Sequence, residues 1–260
     1  MCEGQLKLYF CRSMGNSKSN EWFKEWFNSP YYHILYTHRD ANEATYFLDH
    51  LITWLNPAAN AQMLDLACGR GRHSVYLHSK GFDVTGVDLS SESIRYAEAF
   101  ESAGLRFYVH DMRQLLSTNA YDYVFNLFTS FGYFERDAEN VRVVKNMSDA
   151  LKPGGRLVID FLNVEKLRFN GIKKEEKEIE GIHFSLQREI RDERVIKTIR
   201  FRDKGHDYVF EEKVMLLNRA HFEHYFALCG LEIEAIFGNY QLDAFDATTS
   251  DRLIFCVKKP

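Results

Sequence analysis

The chain has 260 residues, a formal net charge of −4 and hydrophobic residues at 45% of its positions. This length and composition predict one α/β domain with an insertion or a small cap. The charge provides no overall basic field, which disfavours nucleic acid and anionic membrane surfaces as partners. The cysteines are five in number, without a C-x-x-C pair, so neither a disulfide framework nor a zinc cluster is predicted and a cytoplasmic location is expected. No apolar run has the length of a membrane span.

The first 57 residues divide into a polar part and an aromatic part. Residues 1–20 are expected to be a flexible segment. In residues 21–57, aromatic residues at helical spacing predict a first helix, and an apolar face predicts a second helix over Ala41–Leu55, closed by Asn56-Pro57. Two interpretations stay open: helices that simply pack on the domain, and a helical lid over a ligand site.

The stretch that follows is organised as strand, glycine turn, helix and strand. An apolar run over residues 62–67 stops at a turn over residues 68–71 that contains two glycines, and a helical pattern begins at Arg72. A second strand, Asp83–Asp88, ends on a carboxylate, and Ser90 is predicted to cap a helix through Glu101. The glycines permit positive φ and close approach of a ligand, and the helix directs free N–H groups into the same crevice. Because Asp88 could accept both ribose hydroxyls, the pattern predicts a ribose-bearing ligand.

The glycine spacing discriminates between ligands of that kind. A dinucleotide fingerprint has a third glycine where this chain has Arg72, which disfavours an NAD-dependent oxidoreductase. Instead, Asp65 is followed by small residues at every second position, Ala67, Gly69 and Gly71. In this motif the chain resembles the class I S-adenosylmethionine-dependent methyltransferases, in particular the small-molecule enzymes of methyltransferase type 11/25. Ala67 stands where that family usually has its first glycine.

Three further motifs carry the resemblance in the order of the family. A strand over residues 105–109 ends in His110-Asp111-Met112, a strand over residues 121–128 is followed by an aromatic segment, and Leu-Lys-Pro-Gly-Gly precedes a strand over residues 156–161. The resemblance therefore covers residues 62–163. It implies a Rossmann-like, doubly wound, seven-stranded sheet with its last strand antiparallel, and S-adenosyl-L-methionine as the cofactor.

The resemblance also implies which residues contact this cofactor. In the core they are Asp65, Ala67, Cys68, Gly69, Gly71, Asp88, Leu89, Asp111, Met112 and Asn126. Asp111 would pair with the adenine amino group; the residues alone also allow it to cap a helix starting near Met112. Before the first motif, Tyr31, Tyr36 and Arg39 are candidates to bind the methionine end or to wall off the acceptor, since an arginine can hold a carboxylate through two parallel N–H groups.

The segment after the fourth strand is expected to face the acceptor. It lacks the Asn/Asp-Pro-Pro-aromatic motif of amino-methyltransferases acting on DNA, which counts against that class. Aromatic faces can favour a sulfonium cation, and the predicted acceptor contacts are Phe128, Phe131, Tyr133 and Tyr240. Ordinary core packing is the alternative for Phe131. Tyr133, His206 and His221 are candidate bases, none is assigned a catalytic role, and no metal is predicted.

The second half of the chain departs from βα alternation. Apolar residues at even spacing over residues 166–216 predict three or four antiparallel strands, inserted between core segments 58–165 and 217–260. The resemblance implies that such a sheet covers the acceptor or joins two copies of the chain as a homodimer. Asn218 is predicted to cap a helix, and residues 231–237 and 252–257 to form the last two strands.

These patterns predict methyl transfer to a nitrogen or oxygen of a small-molecule acceptor. Two alternatives stay open. One is a tRNA or protein methyltransferase, whose phosphate contacts would come from Arg188, Arg191, Arg194, Lys197, Arg200 and Arg202. Acidic neighbours of these residues favour a solvated strand face instead. The other alternative is a module that binds the cofactor without turnover.

Overall fold

The computed structural model describes residues 21–36, 41–170 and 172–260. Three helices come first: α1 (Trp22–Phe27), α2 (Pro30–Tyr36) and α3 (Ala41–Leu55). The alternating part follows: β1 (Gln62–Leu66), α4 (Arg72–Ser79), β2 (Asp83–Asp88), α5 (Ser91–Ala97), β3 (Leu105–Val109), β4 (Tyr121–Asn126), α6 (Asp137–Ala150), β5 (Leu151–Leu162) and α7 (Val164–Asn170). The last elements are β6 (Lys173–Ile179), β7 (Ile182–Arg191), β8 (Arg194–Asp203), β9 (His206–Met215), α8 (Arg219–Leu228), β10 (Glu232–Phe237) and β11 (Arg252–Lys258).

Seven strands form the central sheet in the order β10-β11-β5-β4-β1-β2-β3. Strands β1 to β5 pair in parallel, whereas β11 is antiparallel to both β5 and β10. The predicted Rossmann-like sheet with an antiparallel last strand is confirmed. The strand order reverses between β1 and β4, and in open sheets of this kind ligands bind at the carboxyl ends of the strands at that point.

Helices cover both faces of the central sheet, so its strands are apolar on both sides. In β5, Leu157, Ile159 and Phe161 point into the layer that holds α6 and α8, and Val158 points into the layer that holds α3, α4 and α5. All four side chains are fully buried. This packing fixes the carboxyl ends of the strands, where the ligand site is expected.

A second sheet, β6-β7-β8-β9, is antiparallel throughout. The expectation of three or four antiparallel strands is confirmed, with the charged run at its start forming β6. Part of one face is apolar and packs against α1 and α2, where Trp26 and Leu35 meet Phe184, Ile199 and Phe201. The first two helices therefore join the small sheet to the central one.

Three local predictions need correction. The helix that begins after Ser90 ends at Ala97 and continues only as a short 3-10 turn, although Ser90 caps it as predicted, accepting from Ser93 N at 3.1 Å. No helix begins near Met112 among the described residues, where the chain forms a turn instead. β5 begins already at Leu151, because Leu151 pairs with Tyr121 of β4. Within the described ranges, no helix is long and apolar enough to cross a membrane.

Candidate functional site

The turn between β1 and α4 is built from left-handed residues. Ala67, Gly69 and Gly71 have φ of 65°, 57° and 80°. A Cβ at Gly71 would lie 2.7 Å from the ring of Phe107 on β3, so this glycine allows α4 to pack on the sheet. A Cβ at Gly69 would meet no atom within 4 Å. The two glycines therefore differ in role: one serves packing and the other leaves space for a ligand.

Asp88 at the tip of β2 is directly bonded to this turn. Its Oδ2 accepts the N–H of Gly69 at 2.8 Å, and its Oδ1 accepts the N–H of Ser90 at 2.8 Å. Burial raises the pKa of Asp88, and these backbone hydrogen bonds oppose the shift. Each carboxylate oxygen can accept a second hydrogen bond, which is the geometry that a pair of ribose hydroxyls requires.

Other polar residues near the turn support it from behind. Asp65 is buried and accepts from Ser74 Oγ of α4 at 2.6 Å. Burial raises the pKa of Asp65 to about 6, with a further rise from the charge of Asp88 and an opposing effect of the Ser74 hydrogen bond. The amide of Asn126 donates to Leu66 O at 3.0 Å and to Ser130 O at 3.3 Å, which joins the end of β1 to the loop after β4.

Asp111, after β3, forms an ion pair with Arg113, a residue that was not predicted to belong to the site. Arg113 Nε lies 3.0 Å from Asp111 Oδ1, and Arg113 Nη2 lies 2.6 Å from Asp111 Oδ2. The same guanidinium contacts Glu21 at 2.6 Å and Glu139 at 3.2 Å. Burial acts to raise the pKa of Asp111, but the hydrogen bonds and charge of Arg113 outweigh it and the pKa is lowered. Arg113 therefore ties the start of α1 to this side of the site.

The loop after β4 has two consecutive left-handed residues without glycine. Phe128 and Thr129 have φ of 57° and 63°, which is uncommon, and for a β-branched residue a sign of strain. Asp160 of β5 holds both: its Oδ2 accepts Phe128 N at 2.8 Å and its carbonyl accepts Thr129 N at 3.0 Å. Such strained backbone persists where surrounding contacts over-determine it, frequently at ligand sites.

One cavity of about 860 Å³ lies next to these elements. The turn after β1, the tips of β2 and β3 and the loop after β4 form one side of it. The first two helices contribute Trp22, Phe27, Tyr32 and Tyr36, and the small sheet contributes Lys173, Arg188, Lys197 and Glu212. The cavity therefore lies between the carboxyl edge of the central sheet and the small sheet.

The central segment of the chain is similar to a known family of domains. Residues 63–155 match the family described as a methyltransferase domain. The protein YqeM of Bacillus subtilis (strain 168) is 32% identical over 117 residues, 43% of this chain and 47% of that protein. The dTDP-3-amino-3,4,6-trideoxy-alpha-D-glucopyranose N,N-dimethyltransferase of Streptomyces venezuelae is 28% identical over 120 residues, 46% of this chain and 49% of that protein. The chain thus spans about half the length of these curated relatives.

A solved S-adenosylmethionine-dependent methyltransferase from Clostridium acetobutylicum ATCC 824 has the same fold. The two chains superpose with a TM-score of 0.74 at 23% identity, over 88% of this chain and 96% of the other. The chain carries a class I S-adenosylmethionine-dependent methyltransferase domain. S-adenosyl-L-methionine is the cofactor of this class. The turn between β1 and α4 fits this cofactor, with open space at Gly69 and two carboxylate oxygens at Asp88.

The structure separates the predicted cofactor contacts of the methyltransferase domain into two groups. Six of them line the cavity: Ala67, Gly69, Asp88, Leu89, Asp111 and Met112. The other core residues, Asp65, Cys68, Gly71 and Asn126, do not line it. Three of those four have the packing or supporting roles described above, and Cys68 is buried. Direct contact with the cofactor stays a prediction for the first group.

The N-terminal candidates fall differently. Tyr31 does not line the cavity: its hydroxyl donates to Asp203 at 2.7 Å, and its ring packs on Phe201 and Tyr208 of the small sheet. Tyr36, the second candidate, does line the cavity, as does its neighbour Tyr32 on the same face of α2. Arg39 lies outside the described residues, as does the segment 1–20.

Of the predicted acceptor contacts, Phe128, Tyr133 and Tyr240 line the cavity. Phe131 does not, since it is fully buried against Phe222 and Tyr225. Among the candidate bases, only Tyr133 lies at the cavity, where its hydroxyl donates to Thr129 O. His206 lies at the start of β9, and His221 belongs to the cap of α8, both away from it.

The contacts of Trp22 and Phe27 with Tyr133 and the position of Glu212 at the cavity were not predicted from the sequence. Trp22 and Phe27 contact Tyr133 with ring centroids 5.5 and 5.4 Å apart, and all three rings line the cavity. On β9 of the small sheet, Glu212 Oε1 accepts from Trp26 Nε1 at 2.8 Å and from Tyr36 Oη at 2.5 Å. The aromatic density of residues 22–36 was visible in the sequence, but its partner on β9, some 180 residues away, was not.

The six cations considered for phosphate binding do not share one surface. Arg188 and Lys197 line the cavity. Arg194 donates to the carbonyl oxygens of Phe134 and Glu135. The other three lie off the cavity: Arg191 pairs with acidic neighbours, Arg202 approaches Asp207, and Arg200 is exposed. This division gives no continuous basic surface of the kind that an RNA backbone would need.

Proposed function

We propose that the chain is an S-adenosylmethionine-dependent methyltransferase that transfers the methyl group to a nitrogen or oxygen of a small-molecule acceptor. The observation that carries the proposal is the shared cavity: Gly69 and Asp88 on one side and Lys197 and Glu212 of the small sheet on the other border the same space. We propose that residues 166–216 form the acceptor cover. A cavity of about 860 Å³ lies within the range of small-molecule sites.

The names of similar proteins support a small acceptor. A sugar N-methyltransferase, KedS8 from Streptoalloteichus sp ATCC 53650, superposes with a TM-score of 0.66 at 22% identity over 100% of this chain and 98% of the other. The Streptomyces venezuelae relative is named for an amino sugar nucleotide. Both names describe nitrogen acceptors on small molecules.

The residues at the cavity can do what methyl transfer requires. The bound cofactor supplies an electrophilic methyl group on a sulfonium. Asp88 and the open side of Gly69 would orient its ribose, and the rings of Phe128 and Tyr133 would exclude water and present aromatic faces to a cation. Holding two reactants in line supplies much of the rate of such a displacement.

The proposal is tested first by binding. We expect the wild-type chain to bind S-adenosylhomocysteine in isothermal titration calorimetry, and Asp88→Ala to bind it about tenfold more weakly or worse because two charge-assisted hydrogen bonds are lost. Asp83→Ala, at the opposite end of β2, is the matched control and should bind as wild type does. A wild type that binds neither S-adenosylhomocysteine nor the methyl donor contradicts the proposal.

Turnover then separates the alternatives. The protein is incubated with labelled S-adenosylmethionine and, in parallel, with amino sugars, hydroxylated small molecules and total tRNA. Label in a small molecule supports the proposal, and label only in tRNA supports the RNA alternative. Cofactor binding without transfer to any class supports the non-catalytic module.

A further inference from the structure

A row of charged side chains crosses the small sheet and faces the cavity. Lys173 of β6 is in register with Arg188 of β7, Arg188 with Lys197 of β8, and Lys197 with Glu212 of β9. All four residues line the cavity. Since neighbouring strands lie about 4.8 Å apart, the three cations fall within roughly 10 Å of one another at their backbones. We call these four residues the charged row.

The charged row lies between two largely apolar rows on the same face. On one side, Leu186, Ile199 and Phe210 are in register, and Glu175 of β6 ends this row opposite Leu186; on the other side are Ile190, Val195 and Val214. Side chains two residues apart on a strand share a face, so the three rows form one continuous surface. Like charges directly opposite each other destabilise a sheet, so this arrangement costs folding stability unless a negative charge compensates it.

The protein itself compensates the row only in part. In the part of the chain that the structure describes, Lys173 and Arg188 form no ion pair, and Lys197 donates to Tyr36 Oη at 2.7 Å. Glu212 is the one carboxylate of the row and is engaged by Trp26 and Tyr36. Glu189, which also borders the cavity, lies 3.3 Å from Arg191. Glu175, on the same face of β6, is paired with Lys177 at 3.1 Å. Three cations against one carboxylate therefore leave the row positive.

The remaining charged groups of the cavity are engaged elsewhere or lie apart from the row. Lys166 pairs with Asp251 at 2.6 Å, and Arg252 pairs with Asp160 at 2.7 Å. Asp111 pairs with Arg113. Glu43 and Asp88 lie on α3 and β2, outside the small sheet. The uncompensated positive charge of the cavity is therefore concentrated on the small sheet, across the cavity from the turn between β1 and α4.

We propose that the charged row binds an anionic group, a phosphate or a carboxylate, on the methyl acceptor, with Arg188 as the principal contact; this assignment rests on the function proposed above. Arg188 lies between the two lysines, and a guanidinium can bind either anion through two parallel N–H groups. The acceptor is then a small molecule with a nucleophilic nitrogen or oxygen at one end and a negative charge at the other. The row sets its orientation in the cavity.

The test measures anion binding to the protein saturated with S-adenosylhomocysteine. Inorganic phosphate and succinate are titrated separately at constant ionic strength, with chloride as the competing ion, into wild type, Arg188→Gln and Arg200→Gln. Arg200 is exposed on β8 and does not line the cavity, so its substitution is a matched change of charge. Lys173→Gln, at an exposed position, is the second variant should Arg188→Gln fold poorly.

We expect wild type to bind at least one of the two anions, Arg188→Gln to weaken that binding about tenfold, and Arg200→Gln to leave it unchanged. The anion preferred identifies a phosphate or a carboxylate acceptor. The proposal is overturned if neither anion binds more tightly than chloride, or if Arg188→Gln and Arg200→Gln weaken anion binding equally. It is also overturned if Arg188→Gln weakens S-adenosylhomocysteine itself, since Arg188 would then hold the carboxylate of the cofactor. A wild type that does not bind S-adenosylhomocysteine contradicts the proposed function instead.

Discussion

Asp160 and Arg252 form an ion pair at the carboxyl edge of the central sheet, with Arg252 Nε 2.7 Å from Oδ1 of a fully buried carboxylate. Oδ2 of the same carboxylate accepts from Phe128 N at 2.8 Å and from Tyr240 Oη at 3.3 Å. Arg252 also donates to Thr129 Oγ1 at 2.9 Å. One pair therefore joins β5, β11 and the left-handed loop after β4, which places Phe128 and Tyr240 at the cavity.

Substitution of Arg252 should expose the importance of that pair. Arg252→Ala leaves Asp160 as a buried charge without its main partner, and we expect unfolding free energy to fall by about 3 kcal/mol or more in urea denaturation. Lys166→Ala removes an ion pair to Asp251, which is 77% exposed, and should cost less than about 1 kcal/mol. Equal losses in the two variants would show that the Asp160 pair does not hold the loop.

Ala67 carries a side chain in a left-handed conformation, at φ 65°. Because that conformation costs an L-residue about 1–2 kcal/mol relative to glycine, Ala67→Gly should raise the unfolding free energy by about 1 kcal/mol. Ala227→Gly, at an exposed position of α8, should lower it by about 1 kcal/mol. Opposite signs in thermal unfolding would confirm the strain, and a loss in both would contradict it.

Much of the fold was predictable because its signals are local. The glycine turn, the Ser90 and Asn218 caps and the apolar periodicity of the strands depend on residues close together in sequence, and all were confirmed. The helix expected near Met112 does not form. There, the Asp111 carboxylate accepts from the backbone N–H and the guanidinium of Arg113, and the chain makes a turn. The other partners of Arg113, Glu21 and Glu139, are far from it in the sequence.

The direction of side chains at the site was less predictable. Tyr32 and Tyr36 are four residues apart, share one face of α2 and line the cavity, whereas Tyr31 packs on Tyr208 and does not line it. Both faces of this helix are aromatic, so composition could not distinguish them. Phe131 comes two residues after Thr129, the second of two left-handed residues, and periodicity does not predict the direction of a side chain after such a pair.

Gly71 and Phe107 form a packing pair that can be tested by a double-mutant cycle. Phe107 is 2% exposed and lies close to the positions that a Cβ at Gly71 or Gly86 would occupy, 2.7 and 2.6 Å from its ring, so it cannot move aside easily. Gly71→Ala should destabilise the fold by about 2–4 kcal/mol through overpacking and positive φ. Phe107→Leu in the same chain should recover part of this, with a coupling energy of about 1–2 kcal/mol.

Gly69→Ala is the control for that cycle and tests the division between the two glycines. Its Cβ meets open space, so only the positive φ, about 1 kcal/mol, should reduce stability. Its effect should appear in weaker binding of S-adenosylhomocysteine, because the methyl group enters the cavity. The division of roles is wrong if Gly71→Ala and Gly69→Ala lose equal stability, or if Phe107→Leu rescues neither.

Asp65 gives the stability a pH dependence of defined sign. Burial raises the pKa of Asp65 from its usual value of 3.8 to about 6 in the folded chain. Between these two pH values, the folded state therefore holds a proton that the unfolded state has released. This carboxyl therefore lowers stability progressively as pH rises from about 4 to about 6, and fully above that. Asp65→Asn removes the ionisation while its amide oxygen can still accept from Ser74.

The stability of Asp65→Asn relative to wild type should accordingly rise by about 2–3 kcal/mol between pH 4 and pH 7, the upper value corresponding to the full pKa shift. Urea denaturation at half-unit steps of pH measures the difference. Ser74→Ala removes a hydrogen bond that lowers the pKa of Asp65, so in that variant the fall in stability should still begin near pH 4 but continue to a higher pH than in wild type. A difference between Asp65→Asn and wild type that stays constant over this range would show that Asp65 ionises alike in the folded and unfolded chain, and burial would then not control its charge.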